Sequence, residues 1–114
     1  LPFASGSFDV TFDGVALMHA ADPDASIAES RRVASRWCVF HTVPLCGQRP
    51  TTRLRKQAYG GPVEETIFNE RDLLERFTAN GLRVHRSYES IAYDLHAVLR
   101  ERSWTTTYLC QVEA

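Results

Sequence analysis

The chain has 114 residues, with 13 Lys and Arg against 14 Asp and Glu, a formal net charge of -1, and 44% hydrophobic residues. This length supports one hydrophobic core, and this balance of apolar and charged residues excludes a disordered protein. The near-neutral charge disfavours a dedicated nucleic-acid binder, and no apolar run approaches the roughly 20 residues of a membrane-spanning helix. The three cysteines share no metal-ligand spacing, which favours a reducing, cytoplasmic setting.

The first part of the chain predicts a strand–helix–strand unit. Residues 8–12 alternate apolar and polar side chains, as in a strand with one apolar face. A helical pattern follows, with Asp22 as its N-cap, and continues to Arg36. Residues 37–43 form a nearly continuous apolar and β-branched run, which predicts a strand covered on both faces and ended by Pro44. Two strands joined by a helix of this size form a right-handed βαβ unit.

The second part has less regular patterning. Residues 45–65 show no clear hydrophobic period and predict a long connection, which in a compact domain is usually functional or mobile. Asn69 is placed to cap a second helix. Strands are expected at residues 82–86 and 104–112, and the intervening residues 90–102 suit either a helix or an irregular excursion.

Several short motifs resemble a known family through their order and spacing. Residues 1–10, LPFASGSFDV, are similar to the LPF-x-x-x-x-FDVV signature of class I S-adenosylmethionine-dependent methyltransferases, in particular those that resemble methyltransferase type 11. Residues 17–33, LMHAADPDASIAESRRV, resemble the LHH-x-x-DP…E-x-x-RV segment of that family. Residues 68–74, residues 80–84 and the terminal strand also resemble its C-terminal half. Each motif is weak alone, but together they span nearly the whole chain.

The resemblance implies an α/β fold, a three-layer sandwich built on a Rossmann-like sheet of seven strands with a final antiparallel strand pair. Residues 1–114 would form a single partial domain that supplies the fourth to seventh strands, the C-terminal half of that sheet. The family's Gly-rich turn and acidic residue, which hold the cofactor, are expected upstream of Leu1. Gly60 and Gly61 cannot replace that turn, because no strand is expected closely before them and no helix begins there.

The function implied by the resemblance is S-adenosylmethionine-dependent methyl transfer to a small-molecule acceptor by the parent protein, with the isolated fragment inactive. Ligands of open α/β sheets gather at the carboxyl ends of parallel strands. The resemblance therefore places the cofactor against Asp13, Gly14, Val15 and His19. Asp13 has the alternative of capping a turn. His19 is also a candidate acid–base residue, because an imidazole titrates near neutral pH, and its alternative is a histidine satisfied by backbone.

The acceptor is expected to contact a second set of residues: His41, Arg53, Arg55 and Tyr59. The resemblance implies that the segment after the fifth strand holds the acceptor, and cations beside an aromatic ring suit an anionic or phosphate-bearing molecule. Arg49 and Lys56 lie in the same segment. The alternatives are a solvated loop for the charged segment and a structural histidine for His41. His85 and His96 have no partner at ligand spacing, so no metal site is expected.

A non-catalytic interaction module is the alternative function. Without the first three strands of the family's sheet, residues 8–12 would expose unpaired backbone and apolar faces, an edge that invites a homodimer or a companion chain. A dinucleotide-binding oxidoreductase shares the architecture, but its glycine fingerprint is absent from the sequence. The chain alone is expected to bind S-adenosylmethionine no more tightly than millimolar.

Overall fold

The computed structural model describes residues 1–91 and 94–113, which form a mixed six-stranded sheet and three α-helices. The elements in chain order are β1 (Phe8–Gly14), a 3₁₀ helix (Leu17–His19), α1 (Pro23–Val33), β2 (Ala34–Cys46), β3 (Thr52–Ala58), β4 (Gly61–Asn69), α2 (Glu70–Ala79), β5 (Leu82–Glu89), α3 (His96–Leu99) and β6 (Ser103–Val112). None of the helices in these described ranges combines the length and apolar character needed to cross a membrane.

The main sheet has the strand order β1–β2–β6–β5. β1 and β2 are parallel, with Gly14 opposite His41, and α1 connects them as a βαβ unit. β6 runs antiparallel to both β2 and β5. The α/β fold class and the final antiparallel strand pair are therefore confirmed.

One face of this sheet is covered by α1 and α2. Ile27 of α1 and Phe77 of α2 belong to the same buried cluster as Phe40 of β2 and Tyr108 of β6. The rings of Phe40 and Phe77 stack with centroids 5.0 Å apart, and Phe77 meets Tyr108 edge-on at 5.3 Å. Aromatic pairs of this geometry stabilise a core beyond the area that they bury.

The apolar side chains of β1 lie away from this core. The Thr11 hydroxyl donates to the Ser30 carbonyl of α1, so Thr11 faces the helix, and its neighbours in the strand point to the opposite face. Val10 is 49% exposed and Phe12 is 66% exposed. The alternation correctly predicted the strand, but its apolar face is exposed among the described residues.

The boundary between α1 and β2 differs from the prediction. β2 begins at Ala34, which is paired with Phe8 of β1, so the helix does not continue to Arg36. β2 also continues through Pro44, which lies opposite Thr105 of β6 just after a shift of register. A bulge of this kind tolerates proline, because the ladder is already interrupted there.

The predicted connection over residues 45–65 is wrong, because most of it forms the hairpin of β3 and β4. The pairing runs from Thr52 opposite Ile67 to Ala58 opposite Gly61. Tyr59 and Gly60 form the two-residue turn, with φ angles of 54° and 84°, as a tight hairpin turn requires. β4 then pairs in parallel with the last residues of β2, beyond the point where β1 stops. The hairpin therefore stands next to the carboxyl end of β1.

Capping residues confirm both predicted helix starts. The Asp22 side chain accepts a hydrogen bond from the Ala25 amide, and the Asn69 side chain accepts one from the Asp72 amide, each at 3.1 Å. In the ambiguous segment, α3 is a short helix, and residues 92 and 93 lie outside the described residues.

Candidate functional site

The carboxyl ends of β1 and β2 lie side by side and have an unusual backbone. The Val15 amide donates to the His41 carbonyl at 3.1 Å, which ties the two ends together. Val15 has a φ of 57° and Thr42 has a φ of 59°. β-branched residues rarely adopt this left-handed conformation, which places local strain at this edge of the sheet.

Asp13 caps the turn that leaves β1. Its Oδ1 atom accepts hydrogen bonds from the amides of Ala16 at 3.1 Å and Leu17 at 2.9 Å. The side chain therefore organises the 3₁₀ helix that carries His19, which is the turn-capping role that the sequence left open. At Gly14, an added Cβ would lie 2.9 Å from the Phe12 ring, which is 66% exposed and free to move aside. The contact of either residue with a cofactor stays a prediction.

His19 has one ring nitrogen bound to backbone and one without a partner among the described residues. Its Nδ1 lies 2.9 Å from the Glu64 carbonyl oxygen, and because a carbonyl only accepts, we assign the proton to Nδ1. Nε2 of the neutral ring then carries the lone pair, and it is buried without a hydrogen bond in the described structure. The Tyr59 ring meets the imidazole edge-on, with centroids 5.7 Å apart.

His41 belongs to a hydrogen-bonded group around Thr107, which the sequence analysis missed. The Thr107 hydroxyl oxygen lies 3.0 Å from His41 Nδ1 and 2.6 Å from Ser90 Oγ, and it accepts from the Thr42 amide at 3.2 Å. This group supports the bulge in β2. Thr107 is one of three consecutive threonines in β6, and nothing in the sequence distinguishes it from the other two.

Arg53 and Arg55 lie on one face of the hairpin with Glu64. Arg53 Nε binds Glu64 Oε2 at 2.7 Å, and its two other nitrogens donate to Thr66 Oγ1 at 3.0 Å and to the Ala20 carbonyl at 3.1 Å. Arg55 Nη2 approaches the other Glu64 oxygen at 3.6 Å. The guanidinium of Arg53 holds the pKa of Glu64 below its ordinary value. Arg53 thus braces the hairpin against the end of the 3₁₀ helix, and substrate binding by the two arginines stays a prediction.

Lys56 lies on the opposite face of the hairpin, as the alternation of side chains along a strand requires. Its Nζ forms an ion pair of 2.6 Å with Oε1 of Glu65, a residue that is 0% exposed. Arg49 lies elsewhere, where its Nη1 donates to the Leu99 carbonyl at 2.9 Å. The predicted cluster of cations is therefore divided among three places. The buried Glu65 was not recognised in the sequence.

A cleft of about 170 Å³ lies between the two strand ends and the tip of the hairpin. Its walls combine apolar side chains with three polar ones: Val15, Met18, Tyr59, Ile91, Thr42, Lys56 and Thr105. A second, more open groove of about 390 Å³ runs along β1 and includes Asp13 and Gly14. No cluster of three or more metal-binding side chains occurs within residues 1–91 and 94–113.

No family model and no curated protein matches the sequence of the chain, whereas solved structures match its fold. A S-adenosylmethionine-dependent methyltransferase from Methanosarcina mazei is 16% identical, with a TM-score of 0.68, over 99% of this chain and 63% of that one. The Burkholderia thailandensis 1,6-didemethyltoxoflavin-N1-methyltransferase is 14% identical, with a TM-score of 0.63, over 98% of this chain and 47% of that one. The chain has the fold of the class I S-adenosylmethionine-dependent methyltransferases.

The methyltransferase fold is also found in the [4+2]-cyclase SpnF, which is 14% identical with a TM-score of 0.66, over 100% of this chain and 53% of that one. These identities establish a shared fold, and one fold hosts different chemistries. The chain spans between about half and two thirds of the length of these three solved chains.

Proposed function

We propose that the chain is the C-terminal flank of an enzyme that transfers a methyl group from S-adenosylmethionine to a small molecule. The observation that carries this proposal is the cleft at the carboxyl ends of β1 and β2, the edge at which open α/β sheets bind their ligands. The likeness to methyltransferases over nearly the whole chain supports it. The Burkholderia thailandensis structure holds S-adenosylhomocysteine and 1,6-didemethyltoxoflavin, a product-state cofactor and a small molecule.

The residues at the end of β1 fit one side of a cofactor site. Gly14 presents bare backbone at the end of β1, and Asp13 fixes the turn by accepting hydrogen bonds from two amides. In the proposal these residues, with Val15 and His19, border the methionyl part of S-adenosylmethionine. The cofactor supplies a methyl group that its sulfonium leaving group already activates. The protein then needs to align the acceptor and remove its proton.

His19 is the proposed proton acceptor. The hydrogen bond from Nδ1 to the Glu64 carbonyl orients the ring and leaves the lone pair on Nε2. Replacing His19 with Gln keeps a polar side chain but removes the titratable nitrogen. In the complete gene product the variant should lose about 100-fold or more in kcat. A variant with unchanged kcat would contradict the role.

Cofactor binding tests the proposed function directly. Calorimetric titration with S-adenosylhomocysteine should show no binding tighter than millimolar for the 114-residue chain, because its adjacent glycines, Gly60 and Gly61, lie in a turn between two strands and not between a strand and a helix. The complete product of the gene should bind and should transfer a labelled methyl group to small-molecule acceptors. Sub-micromolar binding by the 114-residue chain would place the whole cofactor site within it. A complete gene product that binds no cofactor would refute methyl transfer.

The edge of β1 supports the alternative function of an interaction module. In the described part of the chain, β1 is hydrogen-bonded to β2 along one side only. Phe8, Val10 and Phe12 are 42%, 49% and 66% exposed along it. An edge of this kind pairs readily with another strand, from a second copy or a companion chain. Light scattering after size exclusion tests this directly, and a stable monomer at high concentration would count against the module.

A further inference from the structure

We propose that the 170 Å³ cleft takes an acceptor with a single planar ring bearing a hydroxyl or carbonyl oxygen, and that Lys56 recognises that oxygen. This inference rests on the proposed function and deepens it, since it names the substrate class of the same cleft. It differs from the anionic or phosphate-bearing molecule that the basic residues of the sequence predicted.

The volume and the walls of the cleft set the size of the molecule. An apolar cavity of about 150 Å³ holds one benzene ring, so a cleft of 170 Å³ has room for one six-membered ring with a small substituent. Val15 and Met18 form apolar walls beside the strand ends. The Tyr59 ring, 79% exposed at the tip of the hairpin, offers an aromatic surface at the rim.

The ion pair of Lys56 and Glu65 sets the polarity of the cleft. The carboxylate is fully buried, while Lys56 is 38% exposed and borders the cleft. An ammonium group only donates hydrogen bonds, so its partner in a ligand is an acceptor atom such as an oxygen. Because Glu65 already balances the charge of Lys56, the pair has no net charge with which to attract a phosphate.

The arginines that a phosphate would require are directed elsewhere. Arg53 and Arg55 occupy the opposite face of the hairpin, where the carboxylate of Glu64 lies between them. Glu64 balances one of their two positive charges, and neither arginine lines the cleft. The Thr105 hydroxyl donates its one proton to the Ile91 carbonyl, so Lys56 is left as the donor that selects a ligand oxygen.

Amide NMR of the ¹⁵N-labelled 114-residue chain tests the inference with three probes: 4-methylphenol, toluene and inorganic phosphate. We expect saturable shifts at the amides of Val15, Thr42 and Thr105 with 4-methylphenol, with at least tenfold weaker binding of toluene and none of phosphate. Equal binding of 4-methylphenol and toluene, phosphate binding at these amides, or shifts confined to other regions would overturn the proposal.

Variants of the hairpin identify the group responsible. Lys56→Met should weaken the binding of 4-methylphenol to the level of toluene, while Gln57→Met, on the opposite face of the hairpin, should leave both affinities unchanged. Since Lys56→Met removes the ion pair of a buried carboxylate, the double variant Lys56→Met/Glu65→Gln is measured as well and should show the same loss. Wild-type affinity for 4-methylphenol in the double variant, or an equal loss in Gln57→Met, would refute the role of Lys56.

The probe titrations and the cofactor titrations have separate readouts. If the chain binds 4-methylphenol but the complete gene product does not bind S-adenosylhomocysteine, methyl transfer is refuted and the ring-binding site stands. The reverse result would refute the ring-binding site alone.

Discussion

Buried thiols should make the stability of this protein fall steeply between pH 8 and pH 10. Burial raises the pKa of Cys110 from 9.0 to about 12 and that of Cys46 from 9.0 to about 11. Both side chains are 0% exposed. Burial also raises the pKa of Cys38, which lies directly opposite Cys110 in the pairing of β2 and β6.

The sign and size of the effect follow from proton binding. Above pH 9 the unfolded chain ionises these thiols while the folded chain keeps them protonated, so the unfolded state binds fewer protons and gains stability as pH rises. With an unfolded pKa of 9.0, one thiol contributes about 1.4 kcal/mol of destabilisation at pH 10 and almost none at pH 8. Cys46 and Cys110 together should therefore lower the free energy of unfolding by about 2.7 kcal/mol, and Cys38 adds to this loss.

Urea denaturation at pH 8, 9 and 10, under reducing conditions, measures the change. The matched control is Cys46→Ala/Cys110→Ala, which removes the two titrations with small changes in volume. Its stability should fall by about 2.7 kcal/mol less than that of the wild type over the same interval. If the control and the wild type lose the same stability between pH 8 and pH 10, the thiols are not the cause and the reasoning fails.

Three further changes test the core, the second helix and the edge. Phe77→Ala should lower the free energy of unfolding in urea by about 3–5 kcal/mol, because it leaves a cavity between the rings of Phe40 and Tyr108. A smaller loss of stability than in Phe77→Leu would contradict this packing. Asn69→Ala should lower the free energy of unfolding by about 1–2 kcal/mol, since Asn69 caps α2 and its side-chain Nδ2 also donates to two loop carbonyls. Asn69→Asp should retain part of the cap, and thermal melts of the two variants compare their stabilities. Phe12→Lys should change the free energy of unfolding by no more than about 0.5 kcal/mol, because the side chain is exposed, and should abolish any self-association through β1. Sedimentation measures the association constant, and an unchanged constant would show that β1 is not the interface.

Sequence patterns correctly predicted the strands with a clear apolar run or alternation and the helices that begin at a capping side chain. β2 is a strand between β1 and β6, as its apolar run predicts, but the expected cover on both faces is wrong, since Trp37 and Val39 are half-buried and His41 is exposed. Asn69 caps a helix in the way that its side chain favours. β1 was found because its alternation is clear, although Val10 and Phe12 are exposed. Period alone therefore identifies a strand, while the face that is covered depends on what packs against it.

The hairpin was missed because its alternation is carried by charged side chains. Arg53 and Arg55 alternate with Leu54 and Lys56, so a search for apolar positions at every second residue finds little. The same alternation places Lys56 on the face of the hairpin that borders the cleft and separates it from the arginines. A segment of four basic residues therefore predicted one cationic site, whereas strand geometry produces two opposed ion-pair systems. Knowledge of the register would have been sufficient to separate them.

Backbone strain identifies the cleft independently of its charge. In the described part of the chain, four residues other than glycine have a positive φ, and three of them, Val15, Thr42 and Tyr59, border the cleft. Each such conformation costs about 1–3 kcal/mol and persists only where the surrounding structure holds it. Here the Val15 amide is held by the His41 carbonyl and the Thr42 amide by the Thr107 hydroxyl. Since the amides of Val15 and Thr42 are both held by hydrogen bonds, two walls of the cleft are fixed before a ligand arrives, which is the preorganisation that the proposed ring-binding site requires.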